Sequence, residues 1–354
     1  MTKDPSDGSL RCDDSQHRSK VPGAARDKSM TEDEAPQSNP EPRSNAPADA
    51  SVGAEPAPES SREGRNPTLD EIQQMPLHER ARLSGEPLPS FEPPAEPPLP
   101  VETMQALDRR TASAEYGLPS RLLMENAGHG AAELAGEMLD RTRPAEGTAR
   151  EIREGRVRRT IYERHAGRGV IVFAGPGNNG GDGFVVARHL RDQGADVFIY
   201  LFATADSFDP TSDAGANLAL CRELGIHVRE IPDAAAIEAV ENDVRNADLL
   251  VDALFGIGLS RPVEEPVSTA IQMINDTYLL GKPCLALDVP SGLHAETGEV
   301  LGHAVRARLT AAFAAPKPGM FTDVGRFYCG EIRVLPIGIP NHWVALELGR
   351  QRRS

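Results

Sequence analysis

Gly169 to Leu190 reads GVIVFAGPGNNGGDGFVVARHL, and the fold turns on how this stretch is parsed. Its opening GVIVFAG is a β-branched, apolar run closed by glycine, the pattern of a short strand buried on both faces. FVVARHL at the other end restores apolar residues at helical spacing. Between them Gly175, Gly177 and Gly180 spell G-x-G-x-x-G, the turn that passes a dinucleotide pyrophosphate from a strand to a helix N-terminus. Asn178, Asn179 and Asp182 stand among those glycines, where a plain phosphate cradle needs none of them. A carboxylate at Asp182 suits the helix dipole but repels a phosphate on the same amides, so it fits a sugar hydroxyl or a support role. The asparagines supply neutral oxygens and amide donors for sugar, amide or a hard cation; alternatively they fill left-handed turn positions, where Asn and Asp are favoured.

The same alternation continues in both directions. VETMQALDRRTASAEYG and SRLLMENAGHGAAELAGEML precede it as helical stretches, the second with Ser120 as expected N-cap. After it come the strand candidates ADVFIYLFA, VREI, ADLLVDALFG, PCLALDVPSG, ARLTAAFAA and EIRVLPIGI. Helical runs through TSDAGANLALCRELG, DAAAIEAVENDV and PVSTAIQMIND separate most of them. Short apolar strands alternating with helices predict a Rossmann-like three-layer α/β/α fold with a mostly parallel central sheet.

Ligands in such sheets bind beyond the carboxyl ends of the strands, and polar residues gather there: GPGNNGGDG, DALFGIGLSRP and DVPSG. Asp252 and Asp288 each follow a buried apolar run, which makes them site carboxylates or else cap and turn residues. Pro290, Ser291 and Gly292 force a tight turn after Asp288. A general base and an oxygen-rich cation site are both available from this set. One companion of the redox fingerprint is missing: the second strand candidate runs into Ala203 and Thr204 where an acid would bind the ribose, and the nearest acid, Asp206, falls beyond it. Lys317, in AAPKPG, either neutralises a phosphate or is an exposed loop lysine.

Composition bounds the rest. The chain has 354 residues and 30 prolines, of which 17 precede residue 101. That polar, proline-rich segment buries too little apolar surface to offset its ordering entropy, so residues 1–100 are expected to be a disordered acidic tail. Thr68 and Glu71 have capping-box spacing in an island that Pro76 is expected to stop. The expected domain occupies residues 101–345, with an arginine-rich insertion at about 141–166 and a short tail at 346–354. A net charge of −15 argues against general binding to nucleic acid or anionic membrane. Cys12, Cys221, Cys284 and Cys329 show no metal or disulfide spacing. No apolar run spans a bilayer and no signal peptide is evident, so a cytoplasmic setting is expected.

The series MENAG (Met124–Gly128), GPGNNGGDGFVVARHL, VDALFGIGLSRP, ALDVPSG and AAPKPG, in this order between about residues 101 and 341, resembles the NAD(P)H-hydrate epimerases, which act on damaged nicotinamide cofactors. The resemblance implies that Asn178, Asn179, Gly180, Gly181 and Asp182 bind the hydrated nucleotide. It implies that Gly256, Ile257, Gly258, Leu259, Ser260, Arg261 and Pro262 cover it, with Arg261 toward a phosphate. Asp288 becomes the substrate-contacting acid and catalytic base. One potassium ion per subunit is implied on Asn179, Asp252 and Ser291. NADHX or NADPHX as substrate, a homodimer, and a separate NAD(P)H-hydrate dehydratase as functional partner follow from the same likeness, since the chain ends soon after EIRVLPIGIP. Two rivals stand beside it: a non-catalytic nucleotide- or RNA-binding scaffold of the same fold, and an NAD-dependent oxidoreductase.

Overall fold

The computed structural model describes residues 72, 74–84, 95, 97–142 and 163–351. The tail before residue 72, the Thr68–Glu71 pair and the insertion between 143 and 162 lie outside the described residues. In chain order the elements are α1 (Leu77–Ser84), α2 (Val101–Ala112), α3 (Ser120–Thr142), β1 (Gly169–Ala174), α4 (Asn178–Asp192), β2 (Asp196–Leu201), α5 (Asp213–Glu223) and β3 (His227–Glu230). They continue as α6 (Ala234–Glu238), α7 (Glu241–Asn246), β4 (Leu249–Ala253), α8 (Val267–Leu279), β5 (Cys284–Leu287), β6 (Leu309–Phe313), α9 (Asp323–Cys329), β7 (Glu331–Leu335) and α10 (Asn341–Gln351).

Seven strands form one sheet in the order β3-β2-β1-β4-β5-β6-β7, and every pairing is parallel. The expected mostly parallel sheet is thus wholly parallel among the described residues. A parallel sheet must have both faces covered, and burial follows that rule: β4, β5 and β6 are buried throughout, while the edge strands β3 and β7 are not. Leu139, Phe184, Leu190 and Leu218 pack with Val170, Val172 and Val251 on one face, with helices α3, α4 and α5. Ile237, Val244, Ile271 and Ile274 meet Ile171, Phe173 and Leu250 on the other.

Chain order reverses between β1 and β4, so the sheet has its topological switch point at the carboxyl ends of those strands. The glycine-rich turn sits there. A Cβ on Gly180 would lie 2.1 Å from the Gly175 carbonyl oxygen, and one on Gly175 would lie 1.9 Å from that of Leu254. Three backbone segments therefore touch, and only glycine permits it.

MENAG finds its explanation in packing. Asn126 donates to the Ile337 carbonyl at 2.9 Å, tying α3 to the segment after β7. Glu125 takes the Arg188 guanidinium and faces His189 Nε2 at 2.8 Å, binding α3 to α4. A Cβ on Gly128 would stand 2.3 Å from Val185 Cβ, so its absence lets the two helices approach.

Both expected domain boundaries shift. Pro76 does not merely stop a helix; α1 begins directly after it, and Ala81 and His78 are buried. His78 Nδ1 lies 3.0 Å from the Tyr328 hydroxyl on α9. Leu99 is fully buried and donates its N–H to Pro316. The packed part therefore reaches back past residue 100, because a short helix with one apolar face is masked by its proline-rich surroundings. At the other end α10 runs to Gln351, with Trp343 buried beneath the Arg110 guanidinium, so residues 346–351 are helix rather than tail. DAAAIEAVENDV forms two short helices, α6 and α7, instead of one. Ser120 is the first residue of α3 rather than the residue before it.

Candidate active site

A cleft of about 730 Å³ opens at the switch point. The three strand-end loops singled out in the sequence meet in it: Asn178, Asn179 and Asp182 from the start of α4, Leu254 to Arg261 after β4, and Asp288 after β5. α2 and α3 supply Met104, Asp108, Leu123 and Met124, and Lys317 enters from the chain after β6. Gly177 precedes α4 in extended conformation, so the free amides of the helix start, with their positive dipole end, serve this cleft.

Not every expected residue faces it. Gly180 and Gly181 are buried against Gly175 and against the Met124 side chain; they set the approach of the backbone instead of lining the cavity. Pro262 lies outside the lining, as do Asp252 and Ser291. The latter two are buried and bonded to each other. Ser291 donates its N–H to Asp252 Oδ2 at 2.8 Å and its hydroxyl to Oδ1 at 2.5 Å, and Phe255 N–H donates to Ser291 Oγ at 2.9 Å. This ties the loop after β4 to the turn after β5. Burial pushes the Asp252 carboxyl up to about 6 against the opposing pull of the Ser291 bonds.

Asn179 is the orphan of the site. It is buried, yet neither its Oδ1 nor its Nδ2 has a hydrogen-bond partner among the described residues, and it lies against Gly256. An unpaired buried amide costs free energy unless a ligand completes it. The Asp252 carboxylate, the Ser291 hydroxyl and the Phe255 carbonyl are joined by hydrogen bonds, and Asn179 lies against Gly256, the residue after Phe255; oxygen donors of this kind are the type a hard cation takes. Among the described residues no group of three or more His, Cys, Asp or Glu side chains is placed to hold a metal.

Polar contacts concentrate on Asp288. It adopts φ 64, a left-handed conformation that Asp and Asn tolerate best among non-glycine residues. Its N–H donates to Ala311 at 2.8 Å, and its Oδ1 accepts the Phe313 N–H at 3.2 Å and the Lys317 ammonium. Lys317 is 1% exposed and also donates to the Phe313 carbonyl at 3.0 Å. The exposed-loop alternative for this lysine is overturned: it is a buried counter-charge. Asp182 and Asp108 share the neighbourhood. Burial, then the Asp288 and Asp108 charges, raise the Asp182 carboxyl well above its ordinary range, with Lys317 opposing. Burial and then Asp288 push Asp108 up to about 6. One ammonium, bonded to Asp288, thus also acts on Asp182 and Asp108.

Asp108 escaped the sequence reading. The signal was present: Met104, Leu107 and Thr111 are the buried residues of α2, and Asp108 stands on the same stripe. Asp206, the nearest candidate for a ribose acid, is exposed and outside the cleft lining.

Strand order, switch-point cleft and glycine turn define a Rossmann-like α/β protein whose polar groups replace the redox fingerprint. Residues 120–319 match the family described as YjeF-related protein N-terminus, and the chain belongs to that family. The bifunctional NAD(P)H-hydrate repair enzyme Nnr of Salinibacter ruber is 40% identical over 252 residues, covering 69% of this chain and 41% of the relative. The NAD(P)H-hydrate epimerase of Pirellula staleyi is 34% identical over 229 residues, 65% of this chain and 87% of the relative. That of Limosilactobacillus fermentum is 34% identical over 232 residues, 65% and 92%. The chain spans about two fifths of the length of the bifunctional relatives. The crystal structure of the yeast protein ynu0, YNL200c, shares the fold, with TM-score 0.50 and 23% identity over 63% of this chain and 82% of that one. No helix among the described residues is long and apolar enough to cross a membrane.

Proposed function

We propose that this chain is an NAD(P)H-hydrate epimerase, interconverting the R and S forms at C6 of hydrated NADH or NADPH. The observation that carries this reading is the charged Asp288–Lys317 pair set beside the orphaned Asn179 and the α4 N-terminus on one cleft. The C6 carbon bears both a hydroxyl and the ring nitrogen, and inverting it requires a proton to leave or reach oxygen. Asp288 is the base for that transfer. Asn178, Asn179, Asp182 and the segment Gly256–Arg261 hold the nucleotide, and Arg261 faces its phosphates.

Potassium belongs to the same proposal. Asn179, Asp252 and Ser291 would hold one ion per subunit, and a bound monovalent ion would supply loop order and charge balance, since it polarises weakly. Replacing potassium by a bulky tetraalkylammonium ion should lower the thermal midpoint and the epimerase rate together. If both are indifferent to the exchange, the cation site is wrong.

The central test supplies one C6 epimer and follows the other by chromatography, with and without protein and potassium. Conversion no faster than the spontaneous rate would remove the proposal. Under this reading the converted epimer passes to a dehydratase activity, and the active form is a homodimer, to be read from its mass by light scattering. The scaffold reading is weakened by a chain that keeps all four of Asn179, Asp252, Asp288 and Ser291, with Asn179 and Asp288 on the cleft lining, Asp252 bonded to Ser291, and Ser291 to the lining residue Phe255. The oxidoreductase reading is weakened by the absence of a ribose acid at the end of β2, and a hydride-transfer assay over small alcohols and acids separates it.

A further inference from the structure

We propose that Asp108 is a second proton-transfer residue of this cleft, the acid partner of Asp288, and that it serves the ring nitrogen while Asp288 serves the hydroxyl. The inference rests on the epimerase reading and deepens it.

Among the carboxyls that line the cavity, Asp108 comes from α2 and Asp288 from the end of β5. Their surroundings differ in the way that separates an acid from a base. Asp288 accepts the Lys317 ammonium and the Phe313 N–H. Asp108 has a buried Oδ1 without a hydrogen-bond partner among the described residues. The charges acting on Asp108 are Asp288, Lys317 and its neighbour Arg109; Asp182, Asp213 and Arg261 line the same cavity. Burial dominates and favours the neutral acid. Asn179, more than nine-tenths buried and unpartnered, independently marks this cavity as a ligand site.

One carboxyl acting twice on one oxygen suffices if the C6–O bond breaks. Two carboxyls held in opposite protonation states suit cleavage of the C6–N1 bond. Asp288 takes the hydroxyl proton, the oxygen's electron pair forms a C6 carbonyl, and the C6–N1 pair moves to nitrogen, which takes the proton of Asp108. Rotation of the open chain presents the other face. Nitrogen attacks the carbonyl carbon, returns its proton to Asp108, and the oxygen recovers its proton from Asp288. No electrons are gained or lost, and both side chains end as they began.

The test compares the full-length protein with Asp108→Asn and Asp108→Glu, subtracting the spontaneous rate at each pH. Asp108→Asn should lower kcat by about a hundredfold or more, within the range of general acid catalysis, with KM changed less than about threefold. In the wild type kcat/KM should fall tenfold per pH unit above about 6, because the protonated form is the active one. That limb should vanish in Asp108→Asn and return in Asp108→Glu. Carboxyl ¹³C titration of the wild type should place the Asp108 midpoint near 6, independent of turnover. In ¹⁸O-water the newly formed epimer should keep its original oxygen. Full activity of a folded Asp108→Asn, a midpoint at the ordinary carboxylate value, or label entering at the epimerisation rate would each overturn the proposal. An inactive wild type would instead sink the epimerase reading.

Discussion

Asp288→Asn is expected to lower epimerase turnover by about 10²–10⁴-fold while leaving the protein folded. The backbone accepts the change: asparagine shares aspartate's tolerance of the left-handed region, where residue 288 sits at φ 64. The remaining amide oxygen can still accept the Phe313 N–H that Oδ1 accepts now. Lys317 is not abandoned either, because it also donates to the Phe313 carbonyl and lies in the field of Asp108 and Asp182. The proton acceptor is what disappears. Measured by conversion of one pure epimer, a folded Asp288→Asn with full turnover would remove Asp288 as the base. Asp288→Ala is a poorer probe, since alanine at positive φ adds backbone strain of order 1 kcal/mol or more, mixing stability into the rate.

The sequence made the sheet legible because its strands are nearly continuous apolar runs. Each of the seven runs read as a strand overlaps one of the seven strands, and the loops after β1, β4 and β5 converge as the parallel reading requires. What it concealed has physical causes. Gly180 and Gly181 read as nucleotide contacts, whereas the constraint on them is close backbone approach to Gly175 and to Met124; a glycine pattern alone does not separate these two uses. Lys317 follows a buried strand in a Pro-Lys-Pro context that reads equally well as an exposed turn. Its ammonium is nonetheless buried, bonded to Asp288 and to the Phe313 carbonyl, and the chain between them passes through the left-handed Ala314. Asp108 is hidden for the opposite reason: on α2 it resembles any charged residue of an amphipathic helix until its stripe is seen to face the cleft. The α1 helix was lost in composition, since averages over a hundred proline-rich residues erase one buried turn containing His78 and Ala81.

The Asp108–Asp182–Asp288–Lys317 group also predicts an asymmetry between losing an anion and losing the cation. Lys317→Met keeps the volume and the apolar stem but leaves three carboxyls without their ammonium. Breaking a buried pair by removing one partner costs about 3–5 kcal/mol, and here the abandoned charges also repel one another. Asp288→Asn should cost much less, for the compensation described above. The pH dependence has a definite sign. Asp182 and Asp108 already hold their protons more tightly folded than unfolded, and removing the ammonium that opposes this raises them further. Between the ordinary value of 3.8 and the raised folded values, the native state binds more protons than the unfolded state, so stability falls as pH rises. Lys317→Met should therefore approach wild-type stability only at about pH 3, below the ordinary value of 3.8, where Asp182 and Asp108 are mostly protonated in both states, and show its full deficit at about pH 8. Urea midpoints across this range decide it. A deficit that is the same at both ends would mean that Lys317 acts through packing alone, and that its charge does not organise the cleft.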